Sequence, residues 1–413
     1  MVPFSAGRAV ASIVKSGSED SIVSCWWLDG GCLHSPSRHQ AGVDHRGRVR
    51  PSSAGGHVPE PPQRDIETTR RSLARWLAGR LPEAGTPEVG VEAPRGRGFG
   101  PETLWAVAEW QRTGTRRDFA VRVASTRYQV LPESRLLDEY RVLRALAPTP
   151  VPVPAVLGYE ADPAVLGAPF YVTERVRGWT PAERPPYRSG GALADRDEAG
   201  RAELWWAGLG VLRTLHGLDG DRLNVAFLEH AAGAPSGLGG QLDFYERHLD
   251  HFAADRSGVV LAALDWLRET LPEPAGPPRL LWGDARLGNI VFRGARPAAV
   301  LGWETAFLGP PEADLAWFLH VGRHLAGDGP RLAGLPGRQA TIDRYEEWLG
   351  RPIAGQLPWH EVFAGFRFAL VAARTGRLLA EQGLADGASE VPFTRAAERL
   401  LAAILAPLDA VAV

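Results

Sequence analysis

The chain has 413 residues, 45% of them hydrophobic and 23% charged, and a formal net charge of −2. This composition is typical of a globular protein with enough apolar side chains for a core, and the length suits roughly two or three domains or one two-lobed enzyme with a tail. The near-zero charge argues against nucleic acid or an anionic membrane as a partner. No apolar run could cross a bilayer, and residues 9–14 are too short for a signal peptide, so we expect a cytoplasmic protein.

Residues 1–62 are rich in Ser, Gly, Pro, Arg and His and show no sustained periodicity. We interpret them as a disordered tail, or as the product of a start codon assigned too early; the alternative is a docking peptide. They contain both cysteines, at a spacing that fits no zinc or redox pattern, so we expect no structural disulfide in the folded part. They also contain Lys15, the only lysine, so no lysine is available to an active site in the folded part.

Folded structure is predicted to begin near Asp65 with an amphipathic helix. Short strands follow at 89–91 and 103–110, on either side of a glycine cluster. Strand, glycine-rich turn and strand form the arrangement that covers the phosphates of ATP in kinases, where backbone N–H groups must approach phosphate oxygens closely. A plain flexible hairpin explains the same pattern. The candidate nucleotide-binding glycines are Gly96, Gly98 and Gly100.

The next elements complete a β-rich first half. Apolar residues alternate in a strand at 119–123, a helix at 133–146 carries a buried stripe, and a proline-rich connector leads to strands at 155–159 and 170–174. Beyond these strands the chain is mostly helical, with helices predicted at 202–216, 241–254, 258–271, 312–326, 338–349, 360–382 and 392–405. The predicted core includes Val121, Leu143, Val172, Leu280, Val291, Val300 and Leu315.

The segment 280–319 carries the chemistry. Asp284 and Asn289 stand at the Asp-x-x-x-x-Asn spacing of a kinase catalytic loop, in which the Asp accepts the proton of the attacking hydroxyl and the Asn holds magnesium on the phosphates. A predicted hairpin follows, with apolar strands at 290–292 and 298–301 around a turn at 293–297. Arg286 lies inside the loop, where it could neutralise a phosphate or a substrate carboxylate. Asp314 opens the next helix and is expected to orient the loop.

The motif Trp-Gly-Asp-Ala-Arg-Leu-Gly-Asn at 282–289 resembles the signature of aminoglycoside phosphotransferase-like kinases, the choline/aminoglycoside kinase type. It is most similar to the branch associated with acyl-CoA dehydrogenases, and the resemblance covers about 68–405. It implies an α+β, two-lobed, protein-kinase-like fold, with a small β-rich N-lobe containing one main helix (63–176) and a larger, mostly helical C-lobe (177–413). It also implies ATP and Mg²⁺ as cofactors and phosphoryl transfer to a small-molecule hydroxyl.

The resemblance assigns further residues to the nucleotide. Arg122 aligns with the lysine that pairs with the α/β-phosphates in kinases, and Glu139 is its candidate partner on the following helix. Because arginine is always charged and forks onto carboxylate or phosphate, the exchange is feasible; a surface Arg and a solvated Glu are the alternative. Glu174 and Val176 fall in the hinge, where backbone groups would bind adenine. Asn289 is the implied metal ligand.

Gly302 departs from the family pattern. The family has an aspartate at this position, a metal ligand equivalent to the Asp of the kinase Asp-Phe-Gly motif, and glycine offers no carboxylate. Glu304 lies two residues on, on the same side of an extended strand, and could reach the metal instead. The alternative is that Glu304 keeps only the local role that the glutamate has in the family. Two outcomes stay open: a rerouted metal site with reduced turnover, or a nucleotide-binding pseudokinase without catalysis. An intact Asp284 and Asn289 count against the second.

The substrate class is open between hydroxylated acids or their acyl thioesters and an antibiotic. Arginines in the helical half favour an anionic substrate over a polycation, namely Arg323, Arg331, Arg344, Arg367 and Arg374. The chain contains no Gly-x-Ser-x-Gly elbow, which argues against a hydrolase. The histidine pairs 320/324 and 248/251 lack a zinc-protease motif, so we interpret them as ordinary histidines, and His216 as a cap or packing residue. We expect a monomer or a homodimer.

Overall fold

The computed structural model describes residues 65–81, 83, 85–92, 100–126, 128–181, 191–229, 237–252, 257–273, 275–326, 332–353, 355–382 and 392–409. The interpretation of residues 1–62, and of Gly96 and Gly98, therefore concerns positions outside the described residues. Within the described residues, no helix combines the length and the apolar character needed to cross a membrane.

A five-stranded antiparallel sheet forms the first half of the protein, in the order β1-β2-β3-β5-β4. Its strands are β1 Glu88–Glu92, β2 Glu102–Trp110, β3 Thr115–Val123, β4 Val156–Glu160 and β5 Phe170–Glu174. Every second residue of β2 is buried, as the period of two in a half-buried strand requires. The sheet therefore has one face toward the core, and β3 lies at its centre between β2 and β5.

Two main helices belong to this half: α1 Ile66–Ala78 and α2 Leu136–Leu146, with the short α3 Pro163–Leu166 between β4 and β5. Asp65 caps α1 because its carboxylate accepts from the Glu67 N–H, as predicted for the start of ordered structure. Helix α2 begins three residues later than the predicted 133, because Arg135 has non-helical backbone angles of φ −101° and ψ 26°.

The second half is helical. Its helices are α4 Glu198–His216, α5 Gly237–Arg247, α6 Gly258–Glu269, α7 Glu312–Ala326, α8 Arg338–Leu349, α9 Leu357–Glu381 and α10 Pro392–Asp409. The predicted bounds of α7 and α8 agree with the structure. Helix α5 ends at Arg247, whereas the prediction extended it to 254; the chain continues as a turn in which the Phe252 N–H donates to the His248 carbonyl.

Two small antiparallel pairs surround the predicted catalytic loop. Strands β7 Ile290–Arg293 and β8 Arg296–Val300 form the predicted hairpin, but its turn is only two residues long, and Gly294 has the positive φ (63°) that such tight turns favour. Strands β6 Arg279–Leu281 and β9 Phe307–Gly309 pair with one another and were not predicted. All seven predicted core residues are buried, which confirms that part of the analysis.

The hairpin is also hydrogen-bonded to two connectors of the sheet, the one between α2 and β4 and the one that follows β5. The Val300 N–H donates to the Pro152 carbonyl over 2.8 Å, and Trp179 and Phe292 exchange two backbone hydrogen bonds of 3.0 and 2.7 Å. A Cβ atom on Gly178 would lie 2.4 Å from the Phe292 carbonyl oxygen, so only glycine allows this close approach. These contacts set the position of the sheet over the hairpin.

Candidate active site

The candidate catalytic loop leaves β6 through a constrained glycine. Gly283 has φ +81°, and a Cβ atom there would lie 2.1 Å from the Thr305 carbonyl oxygen. Glycine is thus required for both its backbone conformation and its lack of a side chain. The carboxylate of Asp314 accepts hydrogen bonds from the N–H groups of Trp282 (2.6 Å) and Gly283 (2.8 Å). Asp314 therefore holds the backbone immediately before Asp284, as its place in the sequence suggested.

Asp284 is buried, and both of its carboxylate oxygens accept hydrogen bonds. Oδ2 accepts from Arg286 Nε at 2.9 Å and from Asn289 Nδ2 at 2.6 Å, and Oδ1 accepts from Trp317 Nε1 at 3.0 Å. Three donors fix the orientation of the carboxylate, and the adjacent guanidinium compensates its charge. The structure thus brings together the predicted base, the predicted arginine and the predicted metal ligand in one hydrogen-bonded loop.

Asn289 leaves one polar atom without a partner. Its Nδ2 donates to the backbone and side-chain oxygens of Asp284, whereas its Oδ1 is buried and has no hydrogen-bond partner within the described part of the chain. A buried acceptor without a donor is costly, and a bound ligand or ion would satisfy it. Amide oxygen is a donor atom that Mg²⁺ accepts.

Gly302 adopts a conformation that a side chain would disturb. It is buried, it has φ +75°, and a Cβ atom there would lie 2.5 Å from Asn289 Nδ2. An aspartate at 302 would therefore have to displace the amide that contacts Asp284. Glycine therefore suits both the backbone conformation and the close contact with Asn289 at this position.

Arg122 forms a buried cluster with two carboxylates. Its guanidinium bonds the Glu304 carboxylate, the Thr103 hydroxyl (2.8 Å) and the Pro101 carbonyl (3.2 Å). The predicted partner, Glu139, lies farther away, with 3.7 Å between Arg122 Nη2 and Glu139 Oε2. The Arg122–Glu139 pair was predicted from the sequence, whereas the closer contact with Glu304 was not, because no local signal connects residues so distant in the chain.

The two glutamates of this cluster share one arginine. Burial and the neighbouring Glu304 carboxylate raise the pKa of Glu139 to about 8, while Arg122 acts in the opposite direction. Burial and the Glu304 carboxylate thus favour the protonated form of Glu139, and Glu304 makes the closer contact with Arg122. One oxygen of Glu304, Oε2, is buried and has no hydrogen-bond partner among the residues that the structure describes.

Three buried oxygens in this region have no hydrogen-bond partner among the described residues: Asn289 Oδ1, Glu139 Oε2 and Glu304 Oε2. Their chemistry fits Mg²⁺, which prefers oxygen ligands from few protein groups and keeps several waters. Within the described residues, no group of three or more His, Cys, Asp or Glu side chains is arranged to hold a metal. The donor set thus fits an ion that is shared with a bound phosphate rather than a cage made by protein alone.

A cleft of about 540 Å³ opens beside this cluster, between the sheet and the hairpin. Four of the residues assigned to the nucleotide line it, together with two tryptophans: Arg122, Glu139, Glu174, Val176, Trp105 and Trp303. The Glu174 N–H donates to the Ala155 carbonyl and the Arg175 N–H donates to the Asp118 carbonyl. Both N–H groups are therefore already used in hydrogen bonds within the protein and are not available to adenine. Val176 is therefore the candidate backbone donor for adenine. Gly100 lies outside this cleft and lines a smaller neighbouring pocket with Glu304.

A second pocket, of about 290 Å³, lies on the helical side of the loop. Arg286 lines it, and the remaining walls are largely apolar, from Pro181, Trp205, Leu287, Phe318, Val321 and Leu325. Other arginines of this half do not converge there. Arg367 is buried against the catalytic loop, Arg374 donates to the Gln129 carbonyl, and Arg331 lies outside the described residues.

The five-stranded sheet, the helical half and the loop that joins Asp284 to Asn289 together have the arrangement of a kinase-like fold. The sequence profile of the phosphotransferase enzyme family (APH) matches residues 104–348, more than half of the chain, and the chain belongs to that family. The predicted family resemblance is thereby confirmed.

Relatives of known name are acyl-CoA dehydrogenase family members. The chain is 27% identical to member 11 of Homo sapiens over 289 residues, which is 68% of this chain and 35% of that protein. It is 32% identical to member 11 of Gallus gallus over 191 residues, which is 46% of this chain and 23% of that protein. The chain therefore spans only about a quarter to a third of the length of these relatives.

Solved structures share the fold. A Ralstonia eutropha protein provisionally described as an aminoglycoside phosphotransferase has a TM-score of 0.61 at 21% identity, covering 80% of this chain and 95% of that one. Plasmodium vivax ethanolamine kinase has a TM-score of 0.52 at 12% identity, covering 81% and 86%. At such identities the similarity shows the fold, which confirms the predicted kinase-like α+β class.

Proposed function

We propose that the protein is an ATP-dependent small-molecule phosphotransferase that moves the γ-phosphoryl group of ATP to a substrate hydroxyl. The observation that carries the proposal is the intact loop in which Asp284 and Asn289 are hydrogen-bonded to each other at the kinase spacing. The adjoining cleft, with Arg122 at its inner end, supports a nucleotide site. Further support comes from the related aminoglycoside phosphotransferase APH(4)-Ia, solved with the nucleotide AMP-PNP (TM-score 0.50, 16% identity, covering 81% of this chain and 98% of that one).

Each residue has a role in this proposal. Asp284 accepts the proton of the attacking hydroxyl, and Trp317 and Arg286 keep its carboxylate oriented. Arg122 binds phosphate oxygens, for which it must exchange part of its contact with Glu304. Asn289 and Glu304 would hold Mg²⁺, which supplies charge neutralisation on the phosphates.

We propose an amphipathic hydroxylated acid or its acyl thioester as the substrate, rather than an aminoglycoside. The pocket beside Arg286 combines apolar walls with one buried guanidinium, which suits an apolar chain that ends in an anion. Among the described residues that line this pocket, none has a carboxylate side chain that would attract a polycation. The names of the acyl-CoA dehydrogenase relatives point in the same direction.

A nucleotide-binding pseudokinase is the second candidate, and Gly302 is the observation that favours it. In that case the cleft would bind nucleotide, and the protein would act as a binding or regulatory module. Because the loop around Asp284 is complete, we rank this candidate second.

The test is nucleotide binding with and without Mg²⁺, followed by ATP hydrolysis, for the natural chain and for Asp284→Asn and Glu304→Gln. Asp343→Asn on the exposed surface of α8 is the matched control. We expect hydrolysis that Asp284→Asn abolishes and Asp343→Asn leaves intact, and a loss of Mg²⁺ dependence in Glu304→Gln. Binding without hydrolysis in the natural chain would establish the pseudokinase, and no binding would refute the cleft assignment.

A further inference from the structure

The backbone before Asp284 is hydrogen-bonded to two buried side chains of opposite charge. Asp314 accepts from the N–H groups of Trp282 and Gly283, and Arg367 Nη2 donates to the Gly283 carbonyl over 3.0 Å. The side chain of Asp314 is 1% exposed, and residue Arg367 is 2% exposed. Buried charges are stable only when hydrogen bonds compensate them, so Asp314 and Arg367 need the N–H and carbonyl groups of this backbone segment. The two side chains in turn hold the backbone segment in place.

A histidine and a tyrosine stand behind Asp314. His216, at the end of α4, places Nε2 3.1 Å from Asp314 Oδ2 and Nδ1 2.5 Å from the Tyr345 hydroxyl on α8. A carboxylate only accepts, so the contact with Asp314 favours a proton on Nε2; in that tautomer of the neutral ring, Nδ1 accepts from the tyrosine hydroxyl. Burial and the Asp314 and Glu312 carboxylates raise the pKa of Tyr345 well above its usual value, so its hydroxyl keeps the donor proton.

Arg367 is likewise held by neighbouring side chains. Its Nε donates to the Tyr245 hydroxyl over 3.0 Å, and its guanidinium lies 4.6 Å from the centre of the Trp317 ring. Trp317 in turn donates to Asp284 Oδ1. Arg367 therefore acts on both the backbone at Gly283 and the indole that orients the Asp284 carboxylate.

We propose that His216, Tyr345 and Arg367 are positioning residues that fix the loop and thereby the direction of the Asp284 carboxylate. The inference rests on the proposed function, in which Asp284 is the base. None of the three lines the nucleotide cleft or the pocket beside Arg286. They act through other groups, so their loss should lower turnover without weakening nucleotide binding.

The first experiment compares Tyr345→Phe, which removes one hydroxyl group, with Tyr159→Phe on β4 as the matched control. We expect kcat for Mg²⁺-dependent ATP hydrolysis to fall about tenfold in Tyr345→Phe, because small misplacements of a catalytic group cost up to about 10²-fold. The dissociation constant for AMP-PNP should change less than about twofold. His216→Gln, which keeps a donor near the Nε2 position, should retain more activity than His216→Ala.

A second measurement does not depend on catalysis. Amide hydrogen exchange at Trp282 and Gly283 reports directly on the bonds to Asp314, and we expect exchange to accelerate in His216→Ala and Tyr345→Phe but not in Tyr159→Phe. If the natural chain binds AMP-PNP but does not hydrolyse ATP, the proposed function fails while the exchange result still decides the positioning role. Unchanged exchange in both variants, or wild-type turnover in both, would overturn the inference.

Discussion

His320 makes the stability of the protein sensitive to acid. The side chain lies on α7, is 4% exposed, and neither ring nitrogen has a hydrogen-bond partner among the described residues. Burial, with smaller contributions from His324 and Arg323, lowers its pKa from 6.5 to about 3. The native state therefore holds this ring neutral at pH values where the unfolded chain protonates it.

The sign and the size of the effect follow from proton linkage. Between pH 6.5 and pH 3 the unfolded state binds one more proton than the folded state, so stability decreases as the pH falls through this window, by about 1.4 kcal/mol per pH unit. At pH 5, about 1.5 units below the unfolded pKa, the loss attributable to His320 is ~2 kcal/mol. Above pH 7.5 the contribution is constant.

The assay is urea unfolding followed by tryptophan fluorescence at several pH values, for the natural chain and for His320→Leu. We expect the free energy of unfolding of the variant, relative to the natural chain, to rise by ~2 kcal/mol between pH 7.5 and pH 5. His360, whose pKa burial also lowers to about 3, provides an independent repeat through His360→Leu. Parallel curves for the natural chain and both variants would refute the reasoning, since other titrating groups cancel in the difference.

Three further substitutions test the site. Gly302→Ala should destabilise the protein by ~1–2 kcal/mol because of the positive φ alone, and the contact of the new Cβ with Asn289 should add to this loss. Gly302→Asp should not strengthen Mg²⁺-dependent AMP-PNP binding in calorimetry. Stronger binding would show that the loop relaxes around the new side chain. Arg122→Lys should weaken AMP-PNP binding about tenfold, because a point charge cannot keep several directed hydrogen bonds; unchanged affinity would remove Arg122 from the nucleotide site. Gly208→Ala places a Cβ 2.4 Å from a methyl group of Leu287. We therefore expect lower ATP turnover and a loss of ~1–3 kcal/mol in the free energy of unfolding in urea. Wild-type turnover would show that Leu287 moves without consequence for the loop.

Sequence reasoning succeeded where the determining signal is local. Helix α8 was bounded correctly because Gly350 follows it with φ +74°, a conformation that ends helices and suits glycine. The hairpin β7–β8 was found from its two apolar runs, although its turn was drawn too long. Strands β6 and β9 have three residues each and pair across the whole catalytic segment, so they offered no periodicity to detect.

In the candidate site, too, contacts between residues close in the sequence were predicted and contacts between distant residues were not. Asp284 and Asn289 were found because their spacing stands before a predicted hairpin and an acidic helix start, and the structure joins them by a hydrogen bond of 2.6 Å. The contact of Arg122 with Glu304 depends on the packing of the sheet against the hairpin and has no signature in the sequence. Arg367 was counted among the arginines that favour an anionic substrate, whereas the structure buries it behind the loop. The prediction failed because the sequence around a single arginine on an apolar helix does not show whether its side chain is exposed.

The pairing of Trp179 with Phe292 limits how the cleft can open. The connector from β5 is free of this pairing only over 175–177, because Gly178 already lies against the hairpin backbone and Trp179 is bonded to it in both directions. In this connector a rotation of the sheet would bend the chain within this short stretch, and it would also strain the Val300–Pro152 hydrogen bond of the other connector. Val291, which lines the cleft, travels with the hairpin and not with the sheet. If the cleft binds nucleotide as proposed, opening it by a bend in this connector would leave the hairpin and the loop at Asp284 aligned with each other.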